Sequence, residues 1–234
     1  MKVILSGSTG YIGGEILTQC LTHPSITSLL ILTRRDPGPL AAHPKAKVIL
    51  VKDFTSYDDP TIHELQTADA AIWCLGTYTG DESVDIEHPL AFIKAIQTRP
   101  PGSTTPFRYV QLGGACTEQP PKEGQKERSL WFYANGRRVR GAAEARVLEC
   151  AGDGSQSELS VYVVKPGGVL PKNGAILPRW IVGESLFVGI KELGATMVDL
   201  AVRGSEQKIF RNREIIEYER KLRESEEVAL LLGR

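Results

Sequence analysis

Cysteine and histidine are scarce in this chain, which limits the chemistry that it can encode locally. Four cysteines and four histidines are spread over 234 residues. No two cysteines form a C-x-x-C pair; they stand at Cys20, Cys74, Cys116 and Cys150. Zinc sites and disulfide frameworks need such residues at close or regular spacing. The sequence therefore predicts no metal site, no disulfide framework and a reducing compartment.

Net charge and long apolar runs are also lacking. The 28 basic and 28 acidic residues balance to zero, so no excess charge attracts nucleic acid or an anionic membrane. The N-terminal apolar run is broken at Ser6 and Gly7, which predicts neither a signal peptide nor a transmembrane segment. We expect a cytoplasmic protein without a nucleic-acid partner.

Short apolar runs recur along the chain and predict its fold class. The run 2–6 precedes residues 11–21, which have helical spacing, and this order opens a βαβ unit. Further strand-like runs stand at 28–33, 47–51, 70–75, 108–112 and 160–164. Strands that alternate with helices predict an α/β protein with a Rossmann-type, doubly wound parallel sheet.

The chain length suits one domain. We expect a single domain over 1–234, with its core in 1–171 and a variable C-terminal region in 172–234. That region contains helical patterns over 184–203, an extended stretch at 207–210 and a charged helix from Asn212. It would supply a small substrate or interaction region.

A glycine-rich loop follows the first predicted strand. Gly7, Gly10 and Gly13 have G-x-x-G-x-x-G spacing between a strand and a helix. In such loops the glycines permit a tight turn, leave room for a pyrophosphate and let the helix pack closely on the sheet. The helix also directs its free N–H groups at the phosphates. This context predicts dinucleotide binding.

The end of the second strand bears on the choice of dinucleotide. Proteins that prefer NAD commonly place an acidic residue there, whereas this strand ends Thr33-Arg34-Arg35. Two guanidinium groups suit the 2′-phosphate of NADP(H). Two alternatives stay open: the arginines are solvated, or Asp36 binds the ribose instead. We predict NADP(H) as the cofactor.

Two further strand ends belong to the same predicted site. Asp53-Phe54 follows the third strand, and Cys74-Leu75-Gly76 follows the fourth. Ligands of open α/β sheets bind at the carboxyl ends of the strands. We expect Asp53 to bind the adenine amino group and Gly76 to let the backbone pass close to the ribose.

Several motifs together resemble the short-chain dehydrogenase/reductase superfamily, in its atypical NADP-binding branch. They are GSTGYIGG, LILTRR, WCLGTYTG, YVQLGGA, RGAAEARV and VVKPGGVL, which lie between Lys2 and Pro171. The sequence is most similar to the Tat-interacting-protein oxidoreductase group and its fungal mitochondrial relatives. Some of these relatives dock on organelles, so the resemblance adds a peripheral position on the mitochondrial outer membrane as an alternative location.

The resemblance also implies which residues bind the cofactor. The pyrophosphate would contact the glycine loop, the 2′-phosphate would contact Arg34 and Arg35, and the nicotinamide end would contact the residues after the sixth strand. The loop residues are Gly7, Thr9, Gly10, Tyr11, Ile12 and Gly13, and the nicotinamide residues are Pro166, Gly167 and Val169.

This sequence lacks the catalytic residue types that the resemblance leads us to expect. That family uses a serine after the fifth strand, and a tyrosine with a lysine four residues later. Here Gly113 and Gly114 follow the strand. In one register Tyr133 is the acid and Arg137 replaces the lysine. In the other, anchored on RGAAEA, Arg140 replaces the lysine and Gly136 replaces the tyrosine. The second register needs no gap.

Two functions follow from these residues. The first is an NADP(H)-binding regulatory or sensor protein with a degraded Ser/Tyr/Lys set, which would have a protein partner. The alternative is an NADP-dependent oxidoreductase or isomerase for a small hydrophobic carbonyl compound, with Tyr133, Arg137 and Arg140 as its catalytic candidates. We expect that replacing Gly113, Gly136 and Arg140 by serine, tyrosine and lysine would raise reductase turnover.

Overall fold

A seven-stranded, wholly parallel sheet forms the centre of the molecule in a computed structural model. The structure describes residues 1–97, 106–121, 123–151, 158–172 and 186–231. Its strands are β1 (Lys2–Ser6), β2 (Ser28–Thr33), β3 (Ala46–Leu50), β4 (Ala70–Trp73), β5 (Phe107–Leu112), β6 (Leu159–Lys165) and β9 (Ile209–Arg211). Two short strands, β7 (Gly168–Leu170) and β8 (Phe187–Gly189), form a separate parallel pair.

Helices cover both faces of this sheet. They are α1 (Tyr11–Thr22), α2 (Asp59–Gln66), α3 (His88–Gln97), α4 (Ala134–Glu149), α5 (Ile190–Val202) and α6 (Asn212–Leu231). A 3₁₀ turn spans Pro39–Ala42, and a π-helical turn, Ser83–Glu87, leads into α3. In the described part of the chain no helix is both long and apolar enough to cross a bilayer.

The strand order confirms the predicted fold class. It runs β3-β2-β1-β4-β5-β6-β9, so the chain reverses direction across the sheet between β1 and β4. This is a Rossmann-type, doubly wound arrangement, in which a crevice opens beyond the carboxyl ends of β1 and β4. Leu5 of β1 lies beside Ile31 of β2 on one side and Ile72 of β4 on the other.

Alternate residues of β1 serve opposite faces of the sheet. Val3 and Leu5 are fully buried in the cluster that contains Ile16 of α1, whereas Ile4 belongs to the cluster that contains Phe92 of α3. A strand covered on both faces has to be apolar throughout, which explains its continuous hydrophobic run. Each such side chain contributes roughly 1.5 to 3 kcal/mol by leaving water.

The element boundaries differ from the sequence predictions in places. The run 70–75 stops being a strand at Trp73, because the chain at Cys74 turns past Gly7, where a Cβ would lie 2.7 Å from the Cys74 carbonyl carbon. The extended stretch at 207–210 supplies the seventh strand, β9, beside β6. The helix predicted from 184 begins at Ile190, and residues 184 and 185 lie outside the described part.

Candidate functional site

The predicted cofactor residues gather at one edge of the sheet. The glycine loop follows β1, Arg34 and Arg35 follow β2, Cys74 to Gly76 follow β4, and Pro166 follows β6. All these strands are parallel, so their carboxyl ends point the same way. The sheet therefore brings together segments that are more than 150 residues apart in sequence, around the reversal between β1 and β4.

The glycine loop has the backbone that its sequence predicted. Gly7 has φ +77°, and a Cβ at Gly13 would lie 2.1 Å from the Gly7 carbonyl oxygen, so a side chain at Gly13 would have to displace the loop. Gly10 caps α1 without a side-chain hydrogen bond, and the first turn of α1 has no acidic residue. The positive end of the helix therefore faces the crevice without an internal anion.

Two buried hydroxyl groups beside this loop have no hydrogen-bond partner among the described residues. They are the Oγ atoms of Ser6 and Ser8, and both side chains are almost fully buried. Buried hydroxyls are normally satisfied by the protein, by water or by a ligand. Together with the uncapped helix, these atoms fit a polar, anionic group such as a pyrophosphate. Thr9, Gly10 and Tyr11 are exposed at the same loop, whereas Ile12 packs partly into the core.

The turn after β2 leaves both arginine side chains exposed. The Thr33 hydroxyl accepts from the Arg35 N–H at 3.2 Å and donates to the Arg35 carbonyl at 2.6 Å. Asp36 accepts a hydrogen bond from the Gly38 N–H at 2.8 Å. Neither Arg34 nor Arg35 forms an ion pair within the described ranges. Two unpaired guanidinium groups are therefore available to an anion, while Asp36 is engaged in its own turn.

A histidine that the sequence did not indicate lies beside Asp53-Phe54, the segment where adenine binding is predicted. His88 lies against Phe54, with ring centroids 5.5 Å apart, and its Nδ1 atom is buried with no partner in the described chain. Burial lowers the pKa of His88, Asp53 opposes this shift and Arg34 adds to it. Asp53 accepts from the hydroxyl and N–H of Thr55, and these bonds lower the pKa of Asp53. A histidine at the start of a helix carries no recognisable motif.

The remaining cofactor candidates differ in accessibility. Phe54 is only 1% exposed, and its ring lies edge-on to Trp73, so Phe54 belongs to the core beneath the surface. Gly76 is exposed, and Leu75 is partly so. Cys74 is partly buried, and the desolvation of its thiol raises the pKa well above the ordinary value. A Cβ at Gly167 would lie 2.1 Å from the Leu186 carbonyl oxygen.

The residues after β6 are held from two directions. The Pro166 carbonyl accepts from the Ala115 N–H at 2.9 Å, and the Gly167 N–H donates to Asn212 Oδ1 at 2.8 Å. Val169 lies in β7 and packs against the core. These bonds fix the predicted nicotinamide segment between the end of β5 and the start of α6.

Tyr133 does not lie on a helix. It precedes α4 in the left-handed backbone region with φ +46°, and 59% of its surface is exposed. Its ring lies edge-on to the ring of Phe132, with the two centroids 4.4 Å apart. Arg137 donates from Nε to the Cys116 carbonyl at 2.6 Å and pairs with Glu118. The Arg137 N–H donates to the Tyr133 carbonyl at 2.9 Å, but no hydrogen bond joins the two side chains in the described structure, so this register does not form a side-chain tyrosine–arginine pair.

Arg140 lies at the centre of the second register. Its Nη2 atom donates to the Gly113 carbonyl at 3.0 Å. It lines a small cavity whose walls also include Leu75, Asp85, Gln111, Leu112, Gly113, Ala143 and Glu144. The Asp85 carboxylate in this wall accepts from the N–H and the hydroxyl of Thr77. Arg140 thus faces the end of β5, where the sequence comparison with reductases would put a lysine.

Two glycines lie close to neighbouring groups where the other catalytic side chains would stand. A Cβ at Gly136 would lie 2.1 Å from the Tyr78 carbonyl oxygen, and a Cβ at Gly113 would lie 2.4 Å from Oε1 at the end of the Glu144 side chain. The Asn135 side chain donates to the carbonyls of Thr79 and Gly80, which holds this loop on α4. A tyrosine at 136 would have to displace the Tyr78 backbone, which argues against the triple substitution, and its effect on turnover stays a prediction.

A buried ion pair that sequence reasoning missed lies beside this cavity. Lys165, the last residue of β6, donates to Glu144 of α4 at 2.5 Å, and both side chains are largely buried. Glu144 also accepts from the Gly114 N–H, the Thr117 hydroxyl and the Gln119 amide. Two features of the sequence could have indicated this pair. Lys165 ends an apolar strand, and Glu144 lies on the buried face of a helix. The pair links β5, α4 and β6.

Comparison with known proteins first defines the class of fold. The chain matches no protein-family model. Its Rossmann-type fold is shared by solved structures of oxidoreductases and reductase domains. The solved neighbours include the oxidoreductase ylbE from Lactococcus lactis, with TM-score 0.63 and 16% identity over 93% of this chain and 96% of that one. The comparisons do not single out the Tat-interacting-protein group.

Particular relatives resemble the chain only distantly or in part. Gre2 from Candida albicans, solved with NADPH, has TM-score 0.64 and 14% identity over 90% of this chain and 78% of that one. WbmF from Bordetella bronchiseptica, solved with NAD+, has TM-score 0.61 and 11% identity, with 90% and 72% covered. Leucinostatins biosynthesis cluster protein T from Purpureocillium lilacinum is 33% identical over 76 residues, which are 32% of this chain and 28% of that protein.

Proposed function

We propose that this chain is an NADP(H)-binding protein without ordinary reductase activity, in which the bound cofactor serves a regulatory or sensing role. The observation that carries the proposal is the contrast between the exposed glycine loop with its uncapped helix and the close backbone contact at the position where a catalytic tyrosine would stand. The uncapped α1 and the unpaired Arg34 and Arg35 support the cofactor. The close contact at Gly136 argues against a tyrosine-based acid.

Arg140 cannot replace the missing lysine in acid-base work. A guanidinium has only N–H donors and no acceptor for a proton. One of its donors is already engaged by the Gly113 carbonyl. Arg140 can therefore position a ligand or hold the backbone, but it cannot relay a proton. The buried Lys165 is neutralised by Glu144 and is tied to α4.

The second candidate is an NADP-dependent oxidoreductase or isomerase for a small hydrophobic carbonyl compound, with Tyr133 as its acid. One observation favours it: Tyr133 is the only non-glycine residue with positive φ in the described chain. Such strain costs about 1 to 3 kcal/mol and concentrates at functional sites. The exposed Tyr133 side chain would donate its hydroxyl proton to a bound carbonyl substrate.

A single set of measurements separates the two functions. Isothermal titration with NADPH and NADH tests the cofactor site, and NADPH absorbance with a panel of aldehydes and ketones tests turnover. We expect NADPH binding with no oxidation above the rate without enzyme. Turnover that disappears in Tyr133→Phe, with Tyr109→Phe as the buried control, would establish the second function instead.

We also propose that residues 1–234 act as one domain, with its core in 1–171 and a small substrate or interaction region in 172–234. The cytoplasm is the proposed location, and the mitochondrial outer membrane surface is the alternative. Fractionation of cells that express the full chain would distinguish these compartments.

A further inference from the structure

Exposed aromatic side chains are unevenly distributed in this protein. Within the described ranges five tyrosine, tryptophan and phenylalanine side chains are classed as exposed: Tyr11, Tyr78, Trp131, Phe132 and Tyr133. Every one lies at the carboxyl edge of the sheet, after β1, after β4 or just before α4. Large exposed aromatics are disfavoured unless they meet a ligand or partner. Their common location suggests one recognition surface.

Four of these rings belong to two loops that are fastened together. Tyr78 lies in the loop after β4, and Trp131 to Tyr133 lie in the segment before α4. The Asn135 amide donates to Thr79 and Gly80, and Gly136 packs against the Tyr78 carbonyl. These contacts join the two loops that carry the rings. We call Tyr78, Trp131, Phe132 and Tyr133 the aromatic rim.

The charges around the rim are mostly paired with one another. Arg137 and Arg128 pair with Glu118, and Arg138 pairs with Glu127. The exposed acids Asp81 and Glu82 follow Tyr78 closely. This mixture offers no net attraction to an anionic membrane or an acidic ligand. The charges are therefore largely balanced within the protein, and the exposed aromatic rings remain as the feature that a ligand could contact.

The size of the rim favours a small molecule over a protein. A stable protein interface needs about 20 to 30 residues on each side. The apolar stretch here spans four residues, 130–133, with the single ring of Tyr78 beside it. Flat conjugated molecules stack on such rings, and a ligand of two fused rings would be covered by three or four of them.

We infer that the aromatic rim binds an uncharged, planar aromatic or conjugated small molecule. The inference rests on the proposed function, because the two loops of the rim follow β4 and precede α4, at the edge of the sheet assigned to the cofactor. Under the sensor function this molecule is an effector, and under the reductase function it is the substrate. Ring stacking supplies the recognition, while the paired arginines and glutamates exclude a strongly charged ligand.

The test uses N-phenyl-1-naphthylamine, a neutral probe whose fluorescence rises in apolar sites, on the full chain. Trp131→Ala/Phe132→Ala should weaken its binding at least tenfold. Leu50→Ala and Val228→Ala remove exposed apolar side chains elsewhere and should change it less than twofold. Saturating NADP+ should not displace the probe, and the anionic analogue 1-anilinonaphthalene-8-sulfonate should bind less tightly.

Several outcomes would overturn the inference. They are equal binding by the double variant, displacement by NADP+, or tighter binding of the anionic analogue. Capture of the protein by phosphatidylcholine/phosphatidylserine vesicles through Trp131 would assign the rim to a membrane. Loss of a wild-type dimer in the double variant would assign it to a second copy. A parallel NADPH titration keeps the questions separate, since absent NADPH binding overturns only the proposed function.

Discussion

The two halves of the crevice use close glycine packing with opposite consequences. At the β1 end, Gly13 lies against the Gly7 carbonyl, so α1 packs closely on the loop, and its N-terminus has no side-chain cap. At the β5 end, the approach of Gly136 to the Tyr78 carbonyl closes the space that a catalytic side chain would need. A glycine is thus informative only together with the backbone that it contacts.

The largest expected effect tests the closed half through its buried ion pair. Glu144→Gln leaves the Lys165 ammonium without a counter-ion and should lower the free energy of unfolding by about 3 kcal/mol. Glu144→Gln/Lys165→Met removes both charges and should recover part of that loss. Urea unfolding followed by circular dichroism measures both. A stability of Glu144→Gln equal to wild type would show that the pair does not hold this half together.

The open half is tested by placing an anion at the start of α1. Gly10→Glu should weaken NADPH binding by more than about 100-fold, since a carboxylate would occupy the positive end of the helix. A Cβ at Gly10 would lie 3.3 Å from the Gly7 carbonyl oxygen, so the fold should persist. Gly10→Gln is the matched control, because glutamine has the size of glutamate without its charge. Isothermal titration with unchanged affinity in Gly10→Glu would place the cofactor elsewhere.

A single methyl group tests whether the β5 end is closed. Gly136→Ala should destabilise the protein by about 1 to 3 kcal/mol because the backbone at Tyr78 must shift. Gly14→Ala is the helical control, since its Cβ would meet only an ordinary contact at 3.6 Å from the Ser8 carbonyl oxygen. That control should be neutral or stabilising. Thermal unfolding of both variants at equal temperatures would contradict the steric argument.

Cofactor choice sharpens the comparison at the open half. Two charge-assisted contacts from Arg34 and Arg35, discounted for exposure, predict a preference for NADPH over NADH of about 10- to 100-fold. Arg34→Ala/Arg35→Ala should erase it by weakening NADPH alone, and added salt should reduce it in wild type. If titration gives equal affinities for the two nucleotides in wild type, Asp36 becomes the ribose ligand.

The smallest expected effect concerns pH. Burial lowers the pKa of His88 in the folded protein, so the unfolded chain binds more protons as pH falls below the ordinary value near 6.5. Stability should therefore be full above pH 6.5 and should fall as the pH drops through the folded pKa. His88→Asn should flatten this part of the curve, and exposed His63→Asn should not. Melting temperatures between pH 5 and 7.5 provide the measurement.

Sequence patterns were most informative where local chemistry and topology agree. The glycine loop could be assigned from spacing because a tight turn, a helix N-terminus and a parallel strand each impose a local requirement. The β5 end of the crevice was harder to interpret. Tyr133 with Arg137 and Gly136 with Arg140 have the same four-residue spacing, so spacing does not distinguish the two registers. The structure separates them: Tyr133 precedes α4 with positive φ, whereas Arg140 faces Gly113.

Taken alone, the sequence determined the order of strands and helices, the glycine turn after β1 and the two cations after β2, because these follow from nearest-neighbour sterics and hydrophobic period. Tertiary structure alone decided that Glu144 pairs with Lys165, that His88 lies against Phe54, and that a Cβ at residue 136 would meet the Tyr78 backbone. Each of these depends on contacts between segments far apart in the chain. Their distances are set by packing of the whole sheet, which no local pattern encodes.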